Sequence, residues 1–229
     1  AAGAAVAEKF LEARLGKTVM QHKIYAYISD GGIEEEISQG AGRLAGLLGL
    51  NNLIMFYDSN DIQLSTECKV VMQEDTKAKY EAWGWNVITI NGNDADEIRH
   101  ALDMANLEQH RPTLIIGKTI MGKGALKEDG SSYENTIKTH GAPLGGNAYR
   151  NTVTALGGNP DDPFVIFDEV KALYANRANE LRTIVAERRN AEKKWAEENP
   201  DKAQLKDTWF SGNAPQIDWS GLIQKPDIA

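Results

Sequence analysis

Residues 24–64 read IYAYISDGGIEEEISQGAGRLAGLLGLNNLIMFYDSNDIQL. Two short apolar runs lie in this stretch, at residues 24–29 and 52–57, and their length and apolar content are typical of buried strands. The segment between them is rich in glycine, alanine and leucine at helical spacing. A strand, a helix and a second strand in this order predict a right-handed crossover between two parallel strands.

Each apolar run leads to a polar residue that carries a side-chain oxygen. The first ends in Asp30, followed by Gly31, and the second leads to Asn60. Taken alone, a strand that ends in Asp-Gly is usually a turn. The carboxyl ends of parallel strands, however, meet at one edge of the sheet, where open α/β sheets bind ligands. One carboxylate, one amide oxygen and a main-chain carbonyl suit Mg²⁺, whose octahedral shell two diphosphate oxygens and a water would complete. The pair is therefore a candidate site for a hard cation such as Mg²⁺ together with a phosphate-bearing ligand, and two ordinary turns are the alternative.

The alternation of strands and helices continues to about residue 120. The further predicted elements are helices at 4–15, 34–48, 75–83 and 96–107, and strands at 85–90 and 113–120. The helix at 96–107 is expected to be capped near Asp94. Residues 121–144 are expected to form a loop, and residues 167–198 a long amphipathic helical region. The fold class predicted is α/β, a three-layer parallel sheet flanked by helices, with a helical C-terminal extension.

The predicted helix at residues 34–48 combines apolar residues with glycines. The apolar residues that keep the helical period are Ile37, Ala41, Leu44, Ala45 and Leu48. We expect their face to be buried. Gly40, Gly42 and Gly46 each cost a helix about 1 kcal/mol relative to alanine. Their presence predicts close packing of this helix against another part of the backbone.

Composition excludes several classes of function. The chain has 229 residues, 41% of them hydrophobic, a net charge of −8 and a pI near 5.1. An acidic chain of this kind lacks the basic footprint of a nucleic-acid-binding protein. No apolar run approaches the ~18 residues that a membrane helix needs, and no signal peptide is visible. The single cysteine, Cys68, excludes an internal disulfide and fits a reducing compartment, so we expect a cytoplasmic protein that binds neither nucleic acid nor membrane.

The same stretch, with three later motifs, resembles the transketolase family. The family has a Gly-Asp-Gly motif near Asp30 and a Tyr-Asp-Asp-Asn-like run near Asn60, and the later motifs are KYEAWGWNVITINGND, RPTLIIGKTIMGKGA and THGAPLG, in that order. The resemblance implies the diphosphate-binding domain of a thiamine-diphosphate enzyme, the first of the family's three domains. It further implies transfer of a two-carbon ketol unit between sugar phosphates in the pentose phosphate pathway.

The resemblance also implies a ligand set for the metal and the diphosphate. Asp30, the side chain of Asn60 and the main-chain carbonyl of Ile62 match the family's Mg²⁺ ligands, with Ca²⁺ or Mn²⁺ as substitutes. Gly31 matches the residue whose N–H meets the diphosphate.

Four further residues match functional positions of the family. Leu64 and Met121 match apolar contacts to the cofactor rings. His140 matches a catalytic histidine near the diphosphate and the reacting end of the substrate. A structural hydrogen bond in a loop is the alternative, and the surrounding THGAPLG motif favours the active-site role. Glu35 matches a catalytic glutamate that the family buries at the dimer interface near the cofactor, although an acid at a helix start also suits the helix dipole without any such role.

Three positions depart from the family pattern. Ser29 stands where the family has the first glycine of Gly-Asp-Gly, and Glu36 where it usually has glycine. Gly40 occupies the place of a second interface acid and is not ionisable, so a relay of glutamates between two active sites lacks a member here.

The resemblance suggests how the chain is divided into domains. It also suggests that the chain depends on further domains and on a second copy of the protein. We expect a partial diphosphate-binding domain at 1–157, a helical extension at 158–210, and at 211–229 a linker to a pyrimidine-binding domain. The chain then reads as a piece of a longer polypeptide that works as a homodimer, and the isolated piece is expected to be inactive.

Two alternatives stay open. One is another thiamine-diphosphate enzyme, of the dihydroxyacetone synthase or deoxyxylulose-phosphate synthase type, although THGAPLG favours transketolase over the second. The other is a non-catalytic interaction protein that kept the fold.

Overall fold

A four-stranded parallel sheet forms the centre of the computed structural model, which describes residues 1–214 and 216–221. The strands are β1 (Ile24–Ser29), β2 (Leu53–Ser59), β3 (Asn86–Asn91) and β4 (Thr113–Lys118). Their order in the sheet is β1-β2-β4-β3, and each neighbouring pair is parallel. The predicted strands are confirmed, with ends that differ by one or two residues.

Helices cover both faces of the sheet. They are α1 (Ala2–Leu15), α2 (Lys17–Met20), α3 (Asp30–Glu34), α4 (Glu36–Leu47), α5 (Cys68–Val71), α6 (Thr76–Ala82), α7 (Ala95–Leu107), α8 (Ile137–Gly141), α9 (Gly146–Ala155), α10 (Asp168–Glu198) and α11 (Pro200–Phe210), followed by a 3₁₀ turn at Trp219–Gly221. Residues of α1, α3 and α4 form one core against the sheet, and residues of α7 form a second core on the opposite face. The predicted three-layer α/β fold is therefore confirmed.

The helix predicted at residues 34–48 differs from the expectation in two respects. It begins at Glu36, because Glu35 has an extended conformation (φ −60°, ψ 131°) that separates α4 from the short helix α3, in which Glu34 is the last residue. The expected buried face is wrong in part: Ala45 is buried, whereas Leu44 is half exposed and Ile37 is 84% exposed. The helix turns its small residues toward the sheet, so its larger apolar side chains point away from it.

Close packing of the α4 glycines is confirmed. A Cβ atom added to Gly46 would lie 1.8 Å from the main-chain oxygen of Trp83, and one added to Gly42 would lie 3.2 Å from the ring of the same tryptophan. The indole N–H of Trp85 donates to the main-chain oxygen of Gly42 at 2.8 Å. Glycine is therefore required where α4 meets the chain between α6 and β3.

Substitution of Gly46 by alanine is expected to destabilise the protein by roughly 2–3 kcal/mol, because the added methyl overlaps an atom of the backbone. This cost exceeds the gain of about 1 kcal/mol in helix propensity. Urea unfolding followed by tryptophan fluorescence measures it. Gly3→Ala in α1 is the control, since its Cβ would meet nothing within 4 Å. Equal stability of the two variants would contradict the packing described here.

The segment between β4 and α9 is more ordered than the loop expected at residues 121–144. It contains the short helix α8, and main-chain hydrogen bonds close the segment on itself, from Tyr133 N to Ala125 O (2.8 Å) and from Asn135 N to Met121 O (2.9 Å). A Cβ on Gly122 would lie 2.8 Å from Thr139 Cβ, so the two ends of the segment are packed together. Several of the polar backbone groups of this long connection are thus paired with one another.

The predicted cap of α7 and the predicted long helix are both confirmed. The carboxylate of Asp94 accepts hydrogen bonds from the main-chain N–H groups of Asp96 (2.9 Å) and Glu97 (3.1 Å), which lower its pKa. Helix α10 covers Asp168–Glu198, and Trp195 packs with Leu15 near its end. Within the described ranges, none of the helices is both long enough and apolar enough to cross a membrane.

Candidate functional site

The ends of strands β1 and β2 lie level with each other at the carboxyl edge of the sheet. Ser29 pairs with Asp58 in the register of the two strands. Asp30 follows β1 directly, and Asn60 follows β2. The two residues are in contact, since the main-chain N–H of Asn60 donates to Asp30 Oδ2 at 3.0 Å. The structure therefore brings together the acid and the amide that the sequence pattern placed at one edge.

Asp30 is a buried carboxylate, with a residue exposure of 1%. Its Oδ1 accepts a hydrogen bond from the hydroxyl of Tyr57 at 2.5 Å, and its Oδ2 accepts from the main-chain N–H groups of Asn60 and Asp61, each at 3.0 Å. Such hydrogen bonds offset the cost of burying a charge. Burial, together with the hydrogen bond to Asp30, raises the pKa of Tyr57 well above its usual range, so this hydroxyl is a donor at neutral pH.

The turn after β2 holds Asn60 and Ile62 close to Asp30. Asp61 has a positive φ of 65°, which is uncommon for a residue other than glycine and folds the chain back sharply. The side-chain oxygen of Asn60 accepts from the N–H of Ile62 at 3.1 Å, and Cys68 N donates to Asp61 O at 3.0 Å. The three residues matched to a metal site thus belong to one compact turn and the strand end beside it.

The oxygen atoms of this turn suit a hard cation that is also coordinated by a second bound molecule. Among the described residues there is no group of three or more histidine, cysteine, aspartate or glutamate side chains that would bind a metal by itself. Asp30, Asn60 and Ile62 offer one carboxylate, one amide oxygen and one carbonyl, all of them oxygen donors. Mg²⁺ takes six oxygens and is often held by one or two carboxylates together with phosphates. The residues present therefore fit Mg²⁺ with a diphosphate.

Gly31 follows Asp30 directly, and the space where a side chain would stand is open. It lies in the first turn of α3 and is exposed, and a Cβ atom added to it would meet nothing within 4 Å. The N–H groups of a first helical turn have no partner within the helix. This N–H is therefore available to an anion, in agreement with the role that the motif around Asp30 implies.

Known proteins share this arrangement of sequence and fold. The family model described as "Transketolase, thiamine diphosphate binding domain" matches residues 1–215. The transketolase of Staphylococcus epidermidis is 37% identical over 221 residues, which are 93% of this chain and 32% of that protein. The chain belongs to the transketolase family. It contains the thiamine-diphosphate-binding domain of that family.

Solved transketolases have the same fold. The transketolase from Leishmania mexicana superposes with a TM-score of 0.83 at 29% identity, covering 90% of this chain and 31% of that one. The transketolase from Pichia stipitis in complex with sedoheptulose 7-phosphate gives a TM-score of 0.82 at 29% identity, covering 90% of this chain and 30% of that one. The chain thus spans about a third of the length of the transketolases that it matches.

Three other residues matched to transketolase positions lie on neighbouring segments. Leu64 is exposed, and its Cδ1 lies 3.3 Å from where a Cβ on Gly141 would be. Met121 begins the segment that packs against Thr139, and His140 is exposed on α8. In the described part of the chain the side chain of His140 forms no hydrogen bond, either with the Asp30 turn or with another residue. The structure therefore brings the three segments together without a direct link between His140 and Asp30.

Glu35 is exposed at the junction of α3 and α4 and takes no part in the Asp30 cluster. Its neighbour Glu34 does connect to the cluster, because Gln63 Nε2 donates to Glu34 Oε1 at 2.6 Å and so ties α3 to the turn after β2. Nothing in the sequence motif distinguishes Glu34 from the two acids that follow it.

Two side chains near the site were missed by the sequence analysis. Lys118 extends from the end of β4 to Ser59 Oγ (2.7 Å) and to Asp61 Oδ1 (3.5 Å) and adds a positive charge next to the turn. Tyr57 supplies the hydroxyl that bonds Asp30. The register of the strands was the missing signal: Tyr57 pairs with Ile28, and Asp30 lies two residues further on the same face.

Cys68 is a buried thiol that we expect to react slowly. Burial, followed by the negative charge of Asp30, raises the pKa of Cys68 to about 11. At neutral pH the thiolate fraction is then lower than that of a free cysteine by roughly 100-fold.

Labelling of Cys68 with a thiol reagent such as iodoacetamide tests this expectation. We expect the native protein to be labelled at least about 100-fold more slowly than the same protein unfolded in urea. A Ser131→Cys variant, with its added thiol at an exposed loop position, is the control and should react quickly. Equal rates for the two thiols of the native variant would contradict the buried, uncharged state of Cys68.

Proposed function

We propose that the protein to which this chain belongs is a transketolase that moves a two-carbon ketol unit from a ketose phosphate to an aldose phosphate in the pentose phosphate pathway. The observation that carries the proposal is the contact between Asp30 and Asn60 at the carboxyl edge of the sheet. Family membership supports the type of reaction. The transketolase from Pichia stipitis forms a complex with sedoheptulose 7-phosphate, which supports sugar phosphates as the substrate class.

The proposed site binds a metal ion through three oxygens and the diphosphate through one backbone N–H. Asp30, the Asn60 side chain and the Ile62 carbonyl hold Mg²⁺, for which Ca²⁺ or Mn²⁺ can substitute, and the N–H of Gly31 binds a diphosphate oxygen. These oxygens would hold the metal against the diphosphate, and the buried carboxylate of Asp30 would offset part of its positive charge.

The remaining residues of the site orient the reactants. When bound, thiamine diphosphate supplies the electron sink for breaking and making the C–C bond next to the substrate carbonyl. Leu64 and Met121 pack against the cofactor rings and keep water away from them. His140, exposed on α8, holds a substrate hydroxyl or moves its proton at the reacting end of the sugar.

A homodimer is part of the same proposal. The outer face of α4 carries Ile37, 84% exposed, and Leu47, 82% exposed, and Glu35 is exposed at its start. Large apolar side chains grouped on one helix face mark an interaction surface. We propose that a second copy of the protein covers this face and that Glu35 lies in the resulting interface.

Leu47→Asp in the intact protein is expected to weaken the dimer, because it places a charge in an apolar contact. Light scattering coupled to gel filtration would then report a monomer at concentrations where the unaltered protein is dimeric. The control is Leu107→Asp at the end of α7, where the leucine is also exposed (71%). A dimeric Leu47→Asp protein would contradict this assignment of the interface.

The division of the chain remains a proposal. It assigns residues 1–157 to the diphosphate-binding domain, 158–210 to its helical extension and 211–229 to a linker toward a pyrimidine-binding domain, part of which lies outside the described residues. The other domains of the same protein complete the site, and the protein works in the cytoplasm.

A coupled assay with xylulose 5-phosphate and ribose 5-phosphate, thiamine diphosphate and Mg²⁺ tests the proposed function. The intact protein should form glyceraldehyde 3-phosphate. The isolated 229-residue chain should not, because it holds one end of the cofactor site and lacks the other contacts that offset the entropy of cofactor binding.

Formation of a product from pyruvate and glyceraldehyde 3-phosphate instead would identify an enzyme of the deoxyxylulose-phosphate synthase type. Absence of every such activity, with no Mg²⁺-dependent binding of the cofactor, would identify a non-catalytic protein.

A further inference from the structure

Tyr57 is a buried residue of β2 whose hydroxyl is directed at the carboxylate of Asp30. The tyrosine is 3% exposed, Asp30 is 1% exposed, and the hydroxyl lies 2.5 Å from Asp30 Oδ1. A hydrogen bond to a charged acceptor is stronger and more directional than one between neutral groups. Tyr57 therefore helps to orient the carboxylate, together with the two main-chain N–H groups that bond Oδ2.

The two carboxylate oxygens of Asp30 accept different numbers of hydrogen bonds. A carboxylate has about four lone-pair positions, two on each oxygen. Oδ2 accepts two main-chain hydrogen bonds, from Asn60 and Asp61, and so has both positions filled. Oδ1 accepts one hydrogen bond within the described part of the chain, from Tyr57. The position left for a cation is therefore on Oδ1, next to the tyrosine hydroxyl.

We propose that Tyr57 is a positioning residue, which holds Asp30 so that Oδ1 presents its free lone pair to Mg²⁺. This inference rests on the proposed function, in which Asp30 is a metal ligand. Partners of metal ligands fix the orientation of those ligands, and their loss lowers metal affinity by about 10- to 100-fold.

A second tyrosine is buried in the same core without such a hydrogen bond. Burial of a tyrosine in this core therefore does not by itself require its hydroxyl to be bonded. Tyr80 belongs to the same buried cluster as Tyr57 and is 0% exposed. Its hydroxyl has no hydrogen-bond partner among the described residues. The two tyrosines therefore give a matched pair of variants, each of which loses one buried oxygen, but only one of which loses a bond to Asp30.

Calorimetric titration of the intact protein with thiamine diphosphate, at a series of Mg²⁺ concentrations, tests the proposal. We expect Tyr57→Phe to raise the Mg²⁺ concentration for half-maximal cofactor binding by about 10- to 100-fold. Tyr80→Phe should change it by less than about twofold. At saturating Mg²⁺ and cofactor the kcat of Tyr57→Phe should stay close to that of the unaltered protein, because Tyr57 is placed to act through Asp30.

Asp30→Asn separates failure of this inference from failure of the proposed function. A Mg²⁺ requirement unchanged in Tyr57→Phe but raised in Asp30→Asn would overturn the role of Tyr57 and leave the metal site in place. A requirement unchanged in both would remove Asp30 from the metal site, and the inference with it. Circular dichroism of each variant precedes the titration. Loss of the native spectrum in Tyr57→Phe would also overturn the proposal, because the hydroxyl would then be needed for folding.

Discussion

Asp30→Asn in the intact protein is expected to abolish ketol transfer at physiological Mg²⁺. The single oxygen of the new amide has to accept the N–H groups of Asn60 and Asp61, which now bond Oδ2. The NH₂ group then occupies the place of Oδ1, and a donor faces the cation. Removing one partner of a buried charge pair costs about 3–5 kcal/mol, so Mg²⁺-supported binding of the cofactor should weaken by roughly two to four orders of magnitude.

Titration of this variant with thiamine diphosphate at limiting and at saturating Mg²⁺ measures the loss. Asp61→Asn is the matched control, because its side chain is 73% exposed and its main-chain N–H is kept. We expect the control to bind the cofactor with nearly unaltered affinity. An unchanged Mg²⁺ requirement in Asp30→Asn would show that the metal is not bound through this carboxylate.

His140→Ala in the intact protein is expected to lower kcat by about 10²- to 10⁴-fold, the usual contribution of a positioned acid or base. Its effect on the free energy of unfolding should stay within about 1 kcal/mol, because the side chain is exposed and the described residues give it no hydrogen bond. Steady-state kinetics and thermal unfolding of the same preparation separate the two effects.

His100→Ala is the control for this experiment. That histidine is exposed on α7, outside the site, so its loss should change neither kcat nor stability. A large fall in the melting temperature of His140→Ala, with normal activity per folded molecule, would instead favour a structural hydrogen bond made by His140.

The fold was predictable from the sequence because its signals are local. Short apolar runs that end in polar residues mark β1 and β2, and the cap at Asp94 marks the start of α7. The glycines of α4 also indicated a close approach correctly, since only a small residue fits at Gly46 next to the oxygen of Trp83.

The features that sequence analysis missed depend on long-range contacts. A helical period shows that Ile37 shares a face with Leu44, but it does not show what covers that face, and the sheet covers a different one. Tyr57 has the appearance of an ordinary core residue of a strand, and its bond to Asp30 follows only from the strand register. The order of residues 121–144 depends in the same way on contacts between the ends of that segment, such as Gly122 with Thr139.

The position of the metal ion tests the central claim most directly. Crystals of the intact protein, grown with thiamine diphosphate and Mn²⁺, would locate the metal by its anomalous scattering. We predict a peak bonded to Asp30 Oδ1, the side-chain oxygen of Asn60 and the carbonyl of Ile62, with diphosphate oxygens completing the shell. A metal bound away from this turn, or a cofactor bound with no metal between its diphosphate and Asp30, would contradict the account.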